Sequence, residues 1–396
     1  MSPDLPELED LRPLDGREVL VRVDFNVPIA ERAGERVVVD DFRIRAALPT
    51  LSFLLAEGAH VTACTHLGRP KGAYDPRYEL GPVRRRLEEL APGVELLENL
   101  RFDPGEEAND PAFVDRLVAG RDCYVNDAFG VAHRAHASVV GPPARLPSAA
   151  GRLLAREVEV LSGLLRAPDR PFVAVVGGAK VADKIGLLRS LARRVDVLVV
   201  GGGMAFTFFA ARGDDVGASI VDAAHLDACR ELLEGPTRLV LPIDVVALSP
   251  DGTLAGSAEE LAALGDRAGT VRVSPPAVGD GWRGFDIGPA SADAFCAEVL
   301  GGATVLWNGP MGVCEDPRFA EGTRAVAEAV AACPGFTVVG GGDSTAALAR
   351  LGLDDKVGFL STGGGAMLEY LELGDLPGLA ALRSAPNARS GRGLGR

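Results

Sequence analysis

The sequence predicts an α/β protein made of two parallel-sheet lobes joined by a helical hinge. Three observations lead there. In the first half, short apolar runs end in polar or basic residues with a Gly or Pro, and a helical pattern usually follows. In the second half the recurring unit is an apolar run, then glycines, then a helical pattern. Between them lies an amphipathic segment, Gly151–Arg166, closed by Pro168-Asp169-Arg170-Pro171. Strands that alternate with helices build a parallel sheet whose ligand groups gather at the strand ends. The expected layout is two doubly wound, Rossmann-like lobes: residues 1–150, a connecting helix and hinge over 151–170, and residues 171–376.

Composition bounds the function. The 396 residues carry a net charge of −14, which argues against nucleic-acid and membrane-surface partners. An anionic substrate would therefore need a local basic pocket. Six cysteines show no CxxC pair or metal spacing, so free thiols in a reducing cytoplasm are expected. The longest apolar stretch, Val197–Ala211, is broken by glycines and too short to span a bilayer.

In the first half, Val19–Val23 reads as a strand ending in Asp24-Phe25-Asn26-Val27-Pro28. Phe42–Ala56 is a helix by the spacing of Ile44, Ala47, Leu48, Leu51, Leu54 and Leu55. Arg43 and Arg45 stand in its first turn, where they oppose the helix dipole unless an anion offsets them. Strands at Ala59–Cys64, Leu96–Leu97 and Cys123–Val125 lead into Thr65–Gly72, Glu98–Phe102 and Asn126–Ser138. His66, Arg69, Arg101, Arg134 and His136 would then share one rim. Taken singly, such a residue is more often a solvated side chain than a ligand. Together, in an acidic chain, they suit a small polyanion that arginine grips bidentately.

In the second half, Phe172–Val176 is a buried strand followed by Gly177-Gly178, then Lys180 and Lys184 on an expected helix. Four residues apart, the two lysines would share one helical face. The chain has only four lysines, so these two suggest a task for a compact point charge rather than for arginine. Further strand–glycine–helix units begin at Val195, Thr337 and Phe359, with a proline-bearing variant near Val305. Leu239–Val246 reads as one more strand, and Thr253–Thr270 as an insertion of turns and one helix. Several glycine turns at helix N-termini make a phosphate-binding surface. Asp343 follows Gly340–Gly342, so it either caps that helix or holds Mg²⁺ against phosphate oxygens. Asparagine is also scarce; Asn26, Asn99, Asn126 and Asn308 all fall at strand ends, which suggests specific hydrogen-bonding tasks.

Reaction between the halves would need them to close and exclude water. No GxGxxG turn leading from a strand into a helix supports a dinucleotide oxidoreductase, and no hydrolase signature appears.

Eleven motifs, VRVDFNVP, THLGRPKG, LLENLRF, VNDAFGVAHRAH, GGAKVADK, GGGMAFTF, LPIDVV, FDIGP, WNGPMGV, GGGDS and STGGGA, run in order along the chain. In this order the sequence resembles phosphoglycerate kinases. The resemblance implies reversible phosphoryl transfer between 1,3-bisphosphoglycerate and ADP, with Mg²⁺, by a cytoplasmic monomer. It assigns Asp24, Phe25, Asn26, Arg43, His66, Leu67, Gly68, Arg69, Arg101 and Arg134 to the glycerate substrate. Lys184, Gly284, Glu315, Gly341, Gly342, Asp343 and Ser344 would contact the nucleotide, with Asp343 as the metal ligand. Arg43, Lys180, Gly341 and Gly364 would serve the phosphoryl in flight. The chain end, residues 377–396, would return to the first lobe.

The sequence departs from that family in four places. Leu87–Leu96 is short, Phe359-Leu360 replaces a common His, and Cys314 replaces a common Phe. The tail Arg383–Arg396 has four Arg and no acid, and reads as disordered.

Overall fold

The computed structural model describes residues 5–389. Two compact units emerge, one of residues up to Gly163 and from Gly365 onward, the other Leu164–Gly364. The division falls inside the helix Arg152–Arg166.

The first unit holds strands β1 (Glu18–Arg22), β4 (His60–Cys64), β5 (Glu95–Leu96), β6 (Cys123–Asn126) and β7 (Ser148–Ala150). They form one parallel sheet in the order β5-β4-β1-β6-β7. Arg22 pairs level with Cys64 and Asn126, so Asp24, His66 and Asp127 all leave the same edge of the sheet. Phe42–Ala56 is helical as its spacing requires, and buries Ile44, Ala47, Leu51 and Leu54 against the sheet. Each such side chain contributes about 1.5–3 kcal/mol, apart from the small Ala47.

A two-stranded hairpin, β2 (Ile29–Arg32) and β3 (Glu35–Val38), has no counterpart in the sequence reading. Its turn residues Ala33 and Gly34 both have positive φ (52° and 81°), the geometry of a tight hairpin turn. Alanine there hides the usual Asn-Gly signal.

The second unit is built on β8 (Phe172–Val176), β9 (Val197–Val200), β10 (Arg238–Val240), β14 (Thr304–Asn308), β15 (Phe336–Gly340) and β16 (Phe359–Leu360). These form a parallel sheet ordered β10-β9-β8-β14-β15-β16. Val176, Val200, Asn308 and Gly340 lie level across it, so four glycine turns start at one height. A separate antiparallel sheet contains β11 (Val245–Leu248), β12 (Val271–Ser274) and β13 (Arg283–Ile287).

The expected single strand Leu239–Val246 is therefore two strands in two sheets. Pro242 lies between them and has no N–H to continue a ladder. The Asp244 carboxylate accepts the N–H groups of Ala290 and Ser291, which fixes the corner.

The tail reading is corrected in part. Pro377–Arg383 is a helix, and the Asn387 amide exchanges two hydrogen bonds with the Ser148 backbone on β7 (2.9 and 3.0 Å). The tail's last residues, 390–396, lie outside the described residues. Among the described residues no helix is long and apolar enough to cross a membrane.

Candidate functional site

At the strand ends of the first unit, Asp24 is nearly buried and accepts a 2.9 Å hydrogen bond from Arg43 Nη1. Arg43 also donates to the Asn26 carbonyl at 3.4 Å. Asp24 thus supplies the anion that the first turn of Phe42–Ala56 requires at Arg43. Arg45 is offset differently, by Asp41 one turn earlier at 2.9 Å. The Asn26 side chain accepts the N–H of Gly68 at 2.9 Å, tying the β1 and β4 loops together.

His66 is buried behind this pair, with Nδ1 3.9 Å from Asp24 Oδ1 and 3.4 Å from Arg22 Nη2. A guanidinium can only donate, so Nδ1 accepts and the ring proton belongs on Nε2. Burial, then the guanidinia of Arg22, Arg101, Arg134 and Arg43, hold His66 well below the ordinary imidazole range. It is a neutral donor among arginines.

Arg101 is 3% exposed, with Nη1 donating to the Gly68 carbonyl at 2.7 Å and Nε 3.0 Å from Glu107 Oε1. Its Nη2 is buried without a hydrogen-bond partner among the described residues, an unusual state for a donor and one that a bound anion would relieve. Arg134 Nε donates to His133 Nε2 at 3.3 Å, and burial brings His133 down to about 4. Arg69 is exposed, with no hydrogen bond or ion pair to any described residue.

Phe25 and Leu67 differ in kind from these. Both side chains are buried, and their N–H groups go to Thr65 Oγ1 and Asn99 Oδ1. They hold the loops rather than face the rim.

In the second unit a cavity of about 410 Å³ is walled by Gly178, Gly202, Gly203, Gly284 and Gly312, with Ile220, Glu315 and Asp343 among its lining residues. Gly284 is required there, because a Cβ would come within 1.9 Å of the Phe206 ring. Asp343 sits in the first turn of the helix Gly342–Leu351 and makes no side-chain cap. Gly341 precedes that helix at φ 97°, a left-handed conformation that favours glycine. Ser344 is buried, and its Oγ accepts the Gly309 N–H at 2.6 Å. Gly364 lies at φ 44° in open space.

The two lysines part company. The helix starts only at Ile185, so Lys180 and Lys184 share no helical face. Gly177 and Gly178 delay the helix, and Lys184 stands just before its first turn. Lys184 Nζ donates to the carbonyls of Gly177 (2.6 Å) and Asn308 (3.2 Å) and to Asn308 Oδ1 (2.6 Å). Burial brings its ammonium down to about 8, opposed by Asp343 and Asp183. Lys180 is exposed, with no hydrogen bond or ion pair to any described residue.

Two buried charges beneath the rim, Arg22 and Glu106, escape the sequence reading. Arg22 is 1% exposed at the C-terminal end of the central strand β1, and its Nε donates to Ser138 Oγ at 2.8 Å. Ser138 in turn donates to the fully buried Glu106 at 2.6 Å, whose Oε1 lies 3.9 Å from His136 Nδ1. The available signal was an arginine inside an otherwise apolar strand. It reads as a strand end unless a buried acceptor is known to wait for it.

The family model for phosphoglycerate kinase matches residues 8–95 and 91–373. The chain belongs to the phosphoglycerate kinase family. A phosphoglycerate kinase of Rubrobacter xylanophilus is 52% identical over 93% of this chain and 96% of that protein. One from Moorella thermoacetica is 48% identical over 95% and 98%. The solved structure of phosphoglycerate kinase from Coxiella burnetii superposes with a TM-score of 0.81 at 36% identity, covering 96% of this chain and 98% of that one. The Pyrococcus horikoshii enzyme gives 0.80 at 30% identity, covering 96% and 99%. Membership of the phosphoglycerate kinase family makes the chain a kinase of glycolysis with an α/β two-lobe fold. Where phosphoglycerate kinases commonly carry a His, Phe359 and Leu360 form the half-buried edge strand β16.

Proposed function

We propose that this chain passes a phosphoryl group reversibly between 1,3-bisphosphoglycerate and ADP, giving 3-phosphoglycerate and ATP. The observation that carries the reading is the set of arginines around a neutral His66, with an orphaned donor on Arg101, in a chain that also holds a glycine-walled cavity ending at Asp343. Arg43, Arg69, Arg101 and Arg134 bind the phosphate and carboxylate of the glycerate, His66 donates from Nε2, and Asp24 orients Arg43. Asn26 and Gly68 shape the same loop pair, and Phe25 and Leu67 support it from beneath.

ADP occupies the cavity, with its sugar near Glu315, its base between Gly284 and Ile220, and its phosphates toward Lys184, Gly341, Gly342 and Ser344. Asp343 fits Mg²⁺, because its exposed carboxylate accepts no hydrogen bond from the described residues. Among those residues no group of three or more His, Cys, Asp or Glu could hold a metal, so phosphate oxygens and water would complete the shell. Bound there, Mg²⁺ would neutralise phosphate charge.

The acyl phosphate leaves as a carboxylate, so no general base is needed and positioning with charge stabilisation suffices. Arg43 and Lys180 flank the moving phosphoryl group, and N–H groups at Gly341 and Gly364 assist. In this reading residues 1–150 and the returning 377–389 bind the glycerate, 171–376 bind the nucleotide, and 151–170 are the hinge whose closure excludes water before in-line transfer. The protein works as a cytoplasmic monomer.

The test is an assay of ATP formation that requires both ADP and 1,3-bisphosphoglycerate. Turnover dependent on both and on Mg²⁺ is expected. Purified, folded protein without it would overturn the reading.

A further inference from the structure

We infer that Asp222 is a positioning residue for phosphoryl transfer: it pins the turn that carries Lys180 and ties that turn to the wall of the nucleotide cavity. This rests on the role proposed above for Lys180.

Residues 177–184 form no helix, so helical hydrogen bonds do not place Lys180. Its flexible side chain stands exposed on a turn between two glycines and Lys184. The turn is fastened at three points. Lys184 is held by its own three oxygens, and the Val181 side chain is fully buried. The third point is the Ala182 N–H, which donates to Asp222 Oδ2 at 3.1 Å. That is the side-chain bond nearest to Lys180 along the turn.

Asp222 is itself fixed from two sides. Its N–H donates to Thr207 Oγ1 at 3.1 Å, on the helix Ala205–Arg212. His225 Nδ1 lies 2.9 Å from the same Oδ2. Upstream, the strap from Ala218 to Asp222 forms part of the cavity wall, with Ala218, Ser219 and Ile220 lining it. The strap is bonded to the opposite edge, where Ala218 N–H donates to the Trp282 carbonyl and Ser219 Oγ accepts the Gly284 N–H, both at 2.9 Å. A base pressing on Ile220 therefore acts two residues from the carboxylate that holds the lysine turn. The same strap sets the cavity wall and the height of Lys180.

Lys184 keeps its anchors without Asp222, and this gives the inference a signature. In Asp222→Ala, kcat should fall by about tenfold to a hundredfold, the usual effect of misplacing a group by an ångström. The KM for ADP should stay within about threefold. Asp222→Asn retains an acceptor oxygen and should recover most of the rate. In the double variant Asp222→Ala/Lys180→Ala, turnover should be no lower than in Lys180→Ala alone, because the two act through one group. Amide exchange across residues 180–184 should quicken in Asp222→Ala whether or not the protein turns over.

A kcat for Asp222→Ala within twofold of wild type, a loss that multiplies with that of Lys180→Ala, or unchanged exchange in the turn would overturn the inference. Should Asp222→Ala not fold, Thr207→Val carries the same test by removing the acceptor of the Asp222 N–H. Wild-type protein without turnover would refute the proposed reaction instead, and the exchange measurement would still decide the pin.

Discussion

Nζ of Lys184 lies 2.6 Å from Oδ1 of Asn308, and the Asn308 amide in turn donates to the Gly340 carbonyl at 2.7 Å. One ammonium is thus wired through β14 to β15, at the height where the glycine turns begin. Two scarce residue types meet in that single bond.

The bond sets a pH dependence. Burial holds Lys184 at about 8 against an ordinary 10.5, so it loses charge as pH rises through 8. Phosphates need that charge, so the KM for ADP should rise between pH 7 and 9. Lys184→Arg should bind ADP more weakly but with a flatter profile, because its guanidinium stays charged. The stability effect has the opposite sense. Between about 8 and 10.5 the unfolded chain keeps a proton that the folded chain has lost, so Lys184 adds stability as pH rises through that window. Steady-state kinetics and denaturant midpoints across this range check both.

Lys180→Arg should lose about a hundredfold to a thousandfold in kcat, the usual effect of removing one transition-state contact. A planar fork cannot replace a point charge beside a phosphoryl in transit. In Lys184→Arg, weaker nucleotide binding should dominate. Lys356→Arg, on an exposed turn, should change little. Equal, mild effects at all three positions would show that lysine scarcity has no functional meaning in this chain.

Asp343→Asn keeps shape and removes charge. Most Mg²⁺-dependent turnover should disappear while the melting temperature stays near wild type. Turnover at saturating Mg²⁺ close to the unaltered enzyme would refute the ligand assignment.

Gly284→Ala tests the cavity wall. Its Cβ would fall 1.9 Å from Cζ of Phe206, a ring that is 2% exposed. Overpacking of this kind costs about 1–3 kcal/mol, so both thermal stability and ADP affinity should drop.

Asp127 gives a second pH signature. It is fully buried at the start of the helix Arg152–Arg166, where Oδ1 accepts the N–H groups of Leu153 and Leu154. Burial pushes its carboxyl up to about 7 from an ordinary 3.8. Between those values the folded chain holds a proton that the unfolded chain lacks, so Asp127 lowers stability as pH rises from about 4 to 7. Asp127→Asn removes this term and keeps an acceptor. Relative to wild type its melting temperature should improve steadily from pH 4 to 8.

Legibility in the sequence followed periodicity. Phe42–Ala56 and Phe172–Val176 stand where apolar spacing put them, because one pattern and one packing partner dictate each. The lysine pair was found by composition but placed on the wrong element. Spacing of four implies a helix only where the backbone is already helical, and two glycines delayed it. Arg22 and Glu106 were illegible for a related reason. A buried charge looks out of place until the Ser138 hydroxyl, 116 residues away in sequence, is brought beside Arg22 and links it to Glu106. Asn308 was legible as a scarce amide, but not as the acceptor of Lys184.

The first unit is sewn from both ends of the chain, whereas the second is one uninterrupted stretch, Leu164–Gly364. On the ribosome this reverses the usual order of completion. The second body has all its residues while the first still lacks Gly365–Leu373, Pro377–Arg383 and the Asn387 amide that ties down Ser148. A chain truncated after residue 364 should therefore hold a finished second unit, while the sheet of its first unit still lacks the Asn387 bonds to Ser148 on β7.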